Sequence, residues 1–180
     1  VQTWVGDSAL KTLLTSEVGL KNPEISQAVY EHLEICPDTK VFQLDSSLWD
    51  LLSDLVNAPH IAGLLDLPKS TLTPAQSIST FAGDVVILDR VQDAGNVGSM
   101  MRTAAGAGLQ HIVCMKGTAQ AWSPKVLRAA MGAHRHLKIQ EGWSLNQVRD
   151  KITLPIYSTC LNAEQDLYDL GEALKEPHAW

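Results

Sequence analysis

The chain of 180 residues has little cysteine. Cys36, Cys114 and Cys160 are odd in number, far apart, and form no C-x-x-C pair. That excludes a disulfide framework and a cysteine-built zinc site, and predicts reduced thiols. No run of 18 apolar residues occurs, so no membrane span is expected. No charged-then-apolar leader opens the chain at Val1, and the expectation is a soluble cytoplasmic protein. Both common nucleotide loops, G-x-x-x-x-G-K-S/T and G-x-G-x-x-G, are missing. Of six histidines only His134-x-His136 forms a close pair. On a strand both would face one side, but no third ligand stands at metal-like spacing, so no metal is expected.

Basic residues are scarce overall, and the net charge of −6 argues against a general polyanion binder. Their distribution is uneven. Residues 1–80 hold four lysines against ten acids, whereas residues 81–180 hold ten basic and ten acidic residues. Lys116, Lys125, Arg128, Arg135 and Lys138 fall in a stretch free of Asp and Glu, while Glu164, Asp166, Asp169, Glu172 and Glu176 gather further on. The first group is either a local surface for RNA phosphates or a set of charges on a solvated face.

With 45% apolar residues the chain can build one sizeable core or two small ones. Leu10 to Leu14 is apolar but too short to place. Asn22-Pro23 reads as cap and first turn of a helix carrying Ile25, Ala28, Val29 and Leu33. Val41–Leu44 reads as a strand. Ser46 or Ser47 is the expected cap of a helix with Leu48, Leu51, Leu52 and Leu55, and Ile61–Leu67 is a further strand closed by Pro68. Lys69–Ala82 is rich in Ser, Thr and Pro and reads as a linker. The expected division is a domain over 1–70, a linker over 71–82 and a second domain over 83–180.

The second domain alternates strand and helix with short joins, which predicts a doubly wound parallel sheet. His111–Met115, Leu137–Ile139 and Pro155–Cys160 are its later strands. Ser123-Pro124 opens a helix through Met131, with Lys125 and Arg128 on one face, and Ser144 caps a helix with Leu145, Val148 and Ile152. Trp122, Trp143 and Trp180 are either base-stacking platforms or packing residues.

Most of the functional signal lies in VVILDRVQDAGNVGSMMRTAAGAG, residues 85–108. Val85–Leu88 suits a buried strand and Asp89–Gly95 a loop. Asn96 stands where a helix cap is expected, and Val97, Met100, Met101, Ala104, Ala105 and Gly108 fall on one helical face. Gly106 and Gly108 end the helix. The loop lies at the carboxyl end of a parallel strand, where open sheets place ligands, and the helix start favours an anion. Arg102 can grip a phosphate with two donors.

The run VQDAGNVGSMMRTAAGAG closely resembles motif 1 of the SpoU/TrmH family of S-adenosylmethionine-dependent RNA 2′-O-ribose methyltransferases. Ala94 stands where the family has proline. SPKVLRAAMGA, Ser123–Ala133, resembles the family's N/S-P-K-x-x-R-A-x-x-G segment, and Tyr157–Leu161 its fourth strand and following loop. The resemblance spans roughly residues 80–180. It implies a SPOUT-type methyltransferase domain preceded by a small α/β domain similar to ribosomal protein L30e, whose acidity here departs from an RNA-binding surface. It also implies that the C-terminal part, where the family threads a trefoil knot around its cofactor, follows the point matching Trp180, so that this chain reads as a fragment lacking the knot.

By the same resemblance, Asn96 orients the target and Arg102 holds its phosphate and hydroxyl. Gln92, Ser99, Lys125, Arg128 and Arg135 hold RNA, and Thr159 and Leu161 edge the pocket for S-adenosylmethionine. The implied partners are RNA, ribosomal more than transfer RNA, and a second copy in a homodimer. Two other classes remain open: a non-catalytic RNA-binding module, and a domain binding a small phosphorylated ligand at Gly95–Gly98.

Overall fold

The computed structural model describes residues 12–52, 59–67, 81, 83–160, 162–163 and 165–180. The chain divides into two compact units, Val1–Pro68 and Lys69–Trp180. No described helix is long and apolar enough to cross a membrane.

In the first unit the apolar stretch too short to place is the central strand, β1 (Thr12–Ser16). It pairs parallel with β2 (Lys40–Leu44) and antiparallel with β3 (Ile61–Leu64). Asn22 serves two helices at once. Its N–H closes α1 (Glu17–Lys21) on Gly19 O, and its side-chain oxygen accepts from Glu24 N at 2.9 Å to open α2 (Pro23–Ile35). The cap of α3 (Ser46–Leu52) is Asp45, not Ser46 or Ser47. Its carboxylate accepts from the Ser47 hydroxyl at 2.6 Å and from Leu48 N at 2.9 Å, and these bonds hold it below the usual carboxylate range. A carboxylate can take both donors, which either serine hydroxyl serves less well. The strand after it stops at Leu64 rather than Leu67. Leu55, Pro68 and all of the expected linker except Phe81 lie outside the described residues.

The second unit is a parallel sheet in the order β4 (Val85–Leu88), β5 (His111–Met115), β6 (Lys138–Trp143). Strand side chains alternate between faces, so each strand feeds two cores. Leu88, Ile112, Cys114 and Ile139 pack with Val97, Met101, Ala104, Val126 and Ala130 of α4 (Ala94–Gly106) and α5 (Pro124–Ala130). Val85, Val113, Met115 and Trp143 pack with Val148 and Ile152 at α6 (Leu145–Lys151). Ser144 and Gln147 close a reciprocal capping box at the start of α6. Phe81, in the stretch read as linker, is buried in this second core, edge-on to His111 at 5.3 Å.

Two strand expectations are corrected here. Pro155–Cys160 is not a full strand: it makes one parallel bridge, Ile156 to Ala179. Its partner is the segment His178–Trp180, which runs between it and β4 through Val85 N→His178 O, Trp180 N→Val85 O and Tyr157 N→Ala179 O. The His134/His136 pair lies in a 3-10 turn, Ala133–His136, and β6 runs on to Trp143. No metal-binding group occurs among the described residues. Trp143 is buried in the core, so it is no stacking platform, while Trp122 is half-buried against His134.

Candidate active site

The loop leaving β4 ends at Asp93, and Asp93, not Asn96, caps α4. Its carboxylate accepts from Asn96 N at 2.7 Å. The helix therefore starts three residues earlier than its apolar pattern shows, with Gly95 inside its first turn. The carboxylate already occupies the positive end of α4, so a second anion there meets like charge. The small-phosphate reading of Gly95–Gly98 loses its anchor. Asn96 lies in the first turn with its residue exposed, Gln92 is exposed before the helix, and Ser99 is half-buried.

The buried face of α4 is Val97, Gly98, Met101 and Ala104, whereas Met100 is 44% exposed. The face turns toward Gly98 because α5 lies against it. A Cβ built on Gly98 would stand 2.5 Å from Ala129 Cβ and 2.8 Å from both Ala130 N and Val126 O. The motif's second glycine is thus a contact point between two helices.

Arg102, exposed on α4, donates from Nη1 to Met131 Sδ at 3.2 Å. Met131 ends α5 in a left-handed conformation at φ 49°. The contact reaches from motif 1 to the second motif, whose Lys125 and Arg128 are exposed on α5. Arg135 is exposed on the following 3-10 turn and has an interaction of its own. Sequence spacing alone does not join Arg102 to that helix; the Gly98 contact does.

The loop between β5 and α5 is tied down along its length. Thr118 Oγ1 donates to Leu88 O at 2.8 Å, Ala119 N to Val91 O at 2.9 Å, and Ala121 N to Glu141 Oε1 at 2.7 Å. These bonds hold the ends of β4 and β5 together where the motif loop emerges. None was visible in the sequence beyond a polar Thr118 and a lone Glu141.

A second feature is a cleft of about 690 Å³ lined by Tyr157–Cys160, Asn162, Gln165, Asp166, Leu167, Leu170 and Trp180, among others. Thr159 is in its wall, while Leu161 lies outside the described residues. Asp166 Oδ1 accepts from Tyr168 N at 3.0 Å and opens a 3-10 stretch, Leu167–Lys175, with Gly171 at φ 47°. His178, buried, stacks edge-on to Trp180 at 4.7 Å and to Tyr157 at 5.7 Å, which steadies two of the lining aromatics. None of the α4 residues lines this cleft. Of the acidic run read only as charge, Asp166 lines this cavity.

Burial governs the titrating groups nearby. It pushes the Cys114 thiol up to about 12, with Glu141 adding to the effect, so Cys114 stays protonated and unreactive. Burial also lowers His111, with Lys138 adding, and lowers His134 against the opposing pull of Ala121 O and Glu141. The folded state therefore binds fewer protons than the unfolded chain just below the ordinary histidine value of 6.5. Their contribution to stability is full above that value and is lost as pH falls through the lowered folded values. The urea midpoint of the second unit is expected to fall from pH 7.5 to pH 5. A midpoint unchanged across that range contradicts the buried neutral histidines.

The arrangement can be set beside known proteins. The Bacillus subtilis 23S rRNA (guanosine(2553)-2'-O)-methyltransferase is 31% identical over 129 residues, covering 68% of this chain and 49% of that protein. The Xenopus tropicalis mitochondrial rRNA methyltransferase 3 is 50% identical over 90 residues, 48% of this chain and 21% of that protein. A solved RNA 2'-O ribose methyltransferase superposes with TM-score 0.68 at 25% identity, over 96% of this chain and 63% of that one. An AdoMet-bound rRNA methyltransferase from Sinorhizobium meliloti shares the fold, with TM-score 0.60 at 24% identity over 79% of this chain and 51% of that one. The chain spans from about a fifth to about half the length of these curated relatives. The sequence profile of the SpoU rRNA Methylase family matches residues 84–180, which take in β4, the motif loop, α4, α5 and the cleft, and the chain belongs to that family.

Proposed function

We propose that the intact protein transfers a methyl group from S-adenosylmethionine to a ribose 2′-hydroxyl of RNA, ribosomal rather than transfer RNA. One observation carries the reading. Arg102, on the motif helix, reaches the end of α5, and α5 presents Lys125 and Arg128 to solvent. Three cations on two packed helices make a surface for a phosphate backbone, although the chain as a whole is acidic. The family membership and the rRNA substrates in the relatives' names support the same class.

The cleft suits the cofactor. Its volume of about 690 Å³ is within the range of small-molecule sites. Trp180 and Tyr157 offer π faces to a purine or a sulfonium, and Asp166, Asn162 and Gln165 offer acceptors to ribose hydroxyls and an ammonium. When bound, the cofactor supplies a methyl group on an excellent leaving group. The protein's task is then positioning and help with the proton. A ribose hydroxyl attacks only as it loses its proton. Arg102 stays charged and is a poor base, so its role is to hold the phosphate and stabilise developing alkoxide charge. Asn96 orients the hydroxyl, and Gln92, Ser99, Lys125, Arg128 and Arg135 hold the strand. Thr159 edges the cofactor. The intact protein works as a homodimer, and a light-scattering mass of one chain would contradict that.

Calorimetric titration of S-adenosylmethionine and S-adenosylhomocysteine into this chain and into the intact protein tests the reading. Binding by the intact protein supports it, and an alkali-resistant linkage in the methylated RNA identifies the 2′-oxygen. Absence of binding by both overturns the enzyme and favours a non-catalytic RNA-binding module.

A further inference from the structure

Two side chains outside the motifs hold both backbone polar groups of one residue, Ala121. Ala121 N–H donates to Glu141 Oε1 at 2.7 Å, and Ala121 C=O accepts from His134 Nε2 at 2.7 Å. Ala121 is fully buried, and His134 is 3% exposed with its ring against Trp122 at 4.9 Å. A carbonyl only accepts, so the proton of the neutral imidazole sits on Nε2. Both backbone polar groups of this buried residue are thereby satisfied by side chains rather than by a neighbouring strand.

The position of this residue matters more than its burial. Ala121 lies just before α5 and His134 just after it, so their bond joins the segments entering and leaving the helix. Glu141 belongs to β6 and ties the same residue to the sheet. With only seven residues, α5 cannot hold its own direction, and Ser123 makes no side-chain bond to its first turn. Its orientation must come from outside, through the Gly98 contact and the backbone of Ala121.

We propose that His134 and Glu141 are positioning residues for RNA: they clamp the backbone of Ala121 from both sides, and so set α5 with Lys125 and Arg128 beside Arg102. The proposal rests on the RNA reading above. It gives a role to His134, for which the histidine pair in the sequence suggested none.

The test uses the intact protein with His134→Leu and Glu141→Leu, each removing one bond, and His134→Gln and Glu141→Gln, which keep a donor and an acceptor at similar reach. Three quantities are read: amide hydrogen exchange over residues 121–131, steady-state KM and kcat with a ribosomal RNA transcript, and affinity for S-adenosylhomocysteine. Each leucine variant is expected to speed exchange in α5 about tenfold and to raise the RNA KM about tenfold. Changes in kcat and cofactor affinity stay within about twofold, and the glutamine variants stay near wild type. Unchanged exchange in both leucine variants overturns the clamp. Faster exchange with an unchanged RNA KM overturns its role toward RNA. A loss spread evenly over KM, kcat and cofactor affinity overturns it in favour of plain structural support. Wild-type protein that neither binds nor methylates RNA fails the methyltransferase reading instead, and the positioning role falls with it, while exchange still decides whether the clamp exists.

Discussion

Gly98→Ala is expected to destabilise the second unit by about 2 kcal/mol, and Gly98→Val by more than the helix pair can tolerate. Helix propensity alone points the other way, since alanine in a helix interior is favoured over glycine by about 1 kcal/mol. Packing decides the sign. The new methyl would lie 2.5 Å from Ala129 Cβ and 2.8 Å from a backbone nitrogen and a backbone oxygen of α5. Backbone atoms cannot rotate aside, so α5 must move away from α4 by roughly an ångström, opening contacts around Met101 and Val126 in a close-packed core. Urea unfolding followed by near-ultraviolet circular dichroism measures the change. A Gly98→Ala protein as stable as wild type would show that the two helices do not meet there. Gly95 makes an internal contrast: its nearest clash is the Asp93 carboxylate at 3.0 Å, a side-chain atom able to shift, so the same substitution there should cost less.

Arg102→Ala in the intact protein should lower kcat for RNA methylation by about 10²- to 10³-fold, the typical effect of removing one donor aimed at developing negative charge. Affinity for S-adenosylhomocysteine should stay within about twofold, because none of the cleft-lining residues is on α4. Stability should hardly move, since Arg102 is exposed and its Met131 contact is weak. Arg102→Lys keeps the charge but loses the forked donors, so its recovery should be partial. Single-turnover methyl transfer with saturating cofactor separates the chemical step from RNA binding. Wild-type turnover by the alanine variant would remove Arg102 from the mechanism.

Different parts of the fold are legible to different degrees, for physical reasons. β4 and β5 can be read directly because buried parallel strands are apolar on both faces, as in Val85–Leu88 and His111–Met115. The starts of α2 and α6 can be read because Asn22-Pro23 and Ser144 are caps in the first position available. The start of α4 misleads because Gly95 and Asn96 both look like loop, while the true cap, Asp93, is separated from the apolar face by that glycine. Pro155–Cys160 has strand composition, but pairing needs a partner, and the partner is three residues, His178–Trp180, with no apolar run to announce it. Of the candidate site, the motif residues are visible as letters. The Gly98 contact, the Ala121 clamp and the cleft wall at Asn162–Leu170 depend on residues brought together from different elements, which no spacing rule encodes.

The place of the His178–Trp180 segment has a consequence for how the chain is made. Asp84 Oδ1 accepts from His178 N across 94 positions of sequence. The strand between β4 and residues 155–157 is therefore made after β4, β5, β6 and residues 155–157, although it lies between two of them. Until it arrives, the outer flank of β4 exposes unpaired N–H and C=O groups, an edge open to pairing with other chains. Closing so long a loop should make completion of this sheet slow. The nascent chain would spend its longest-lived, most association-prone interval with β4, β5 and β6 formed and that slot unfilled.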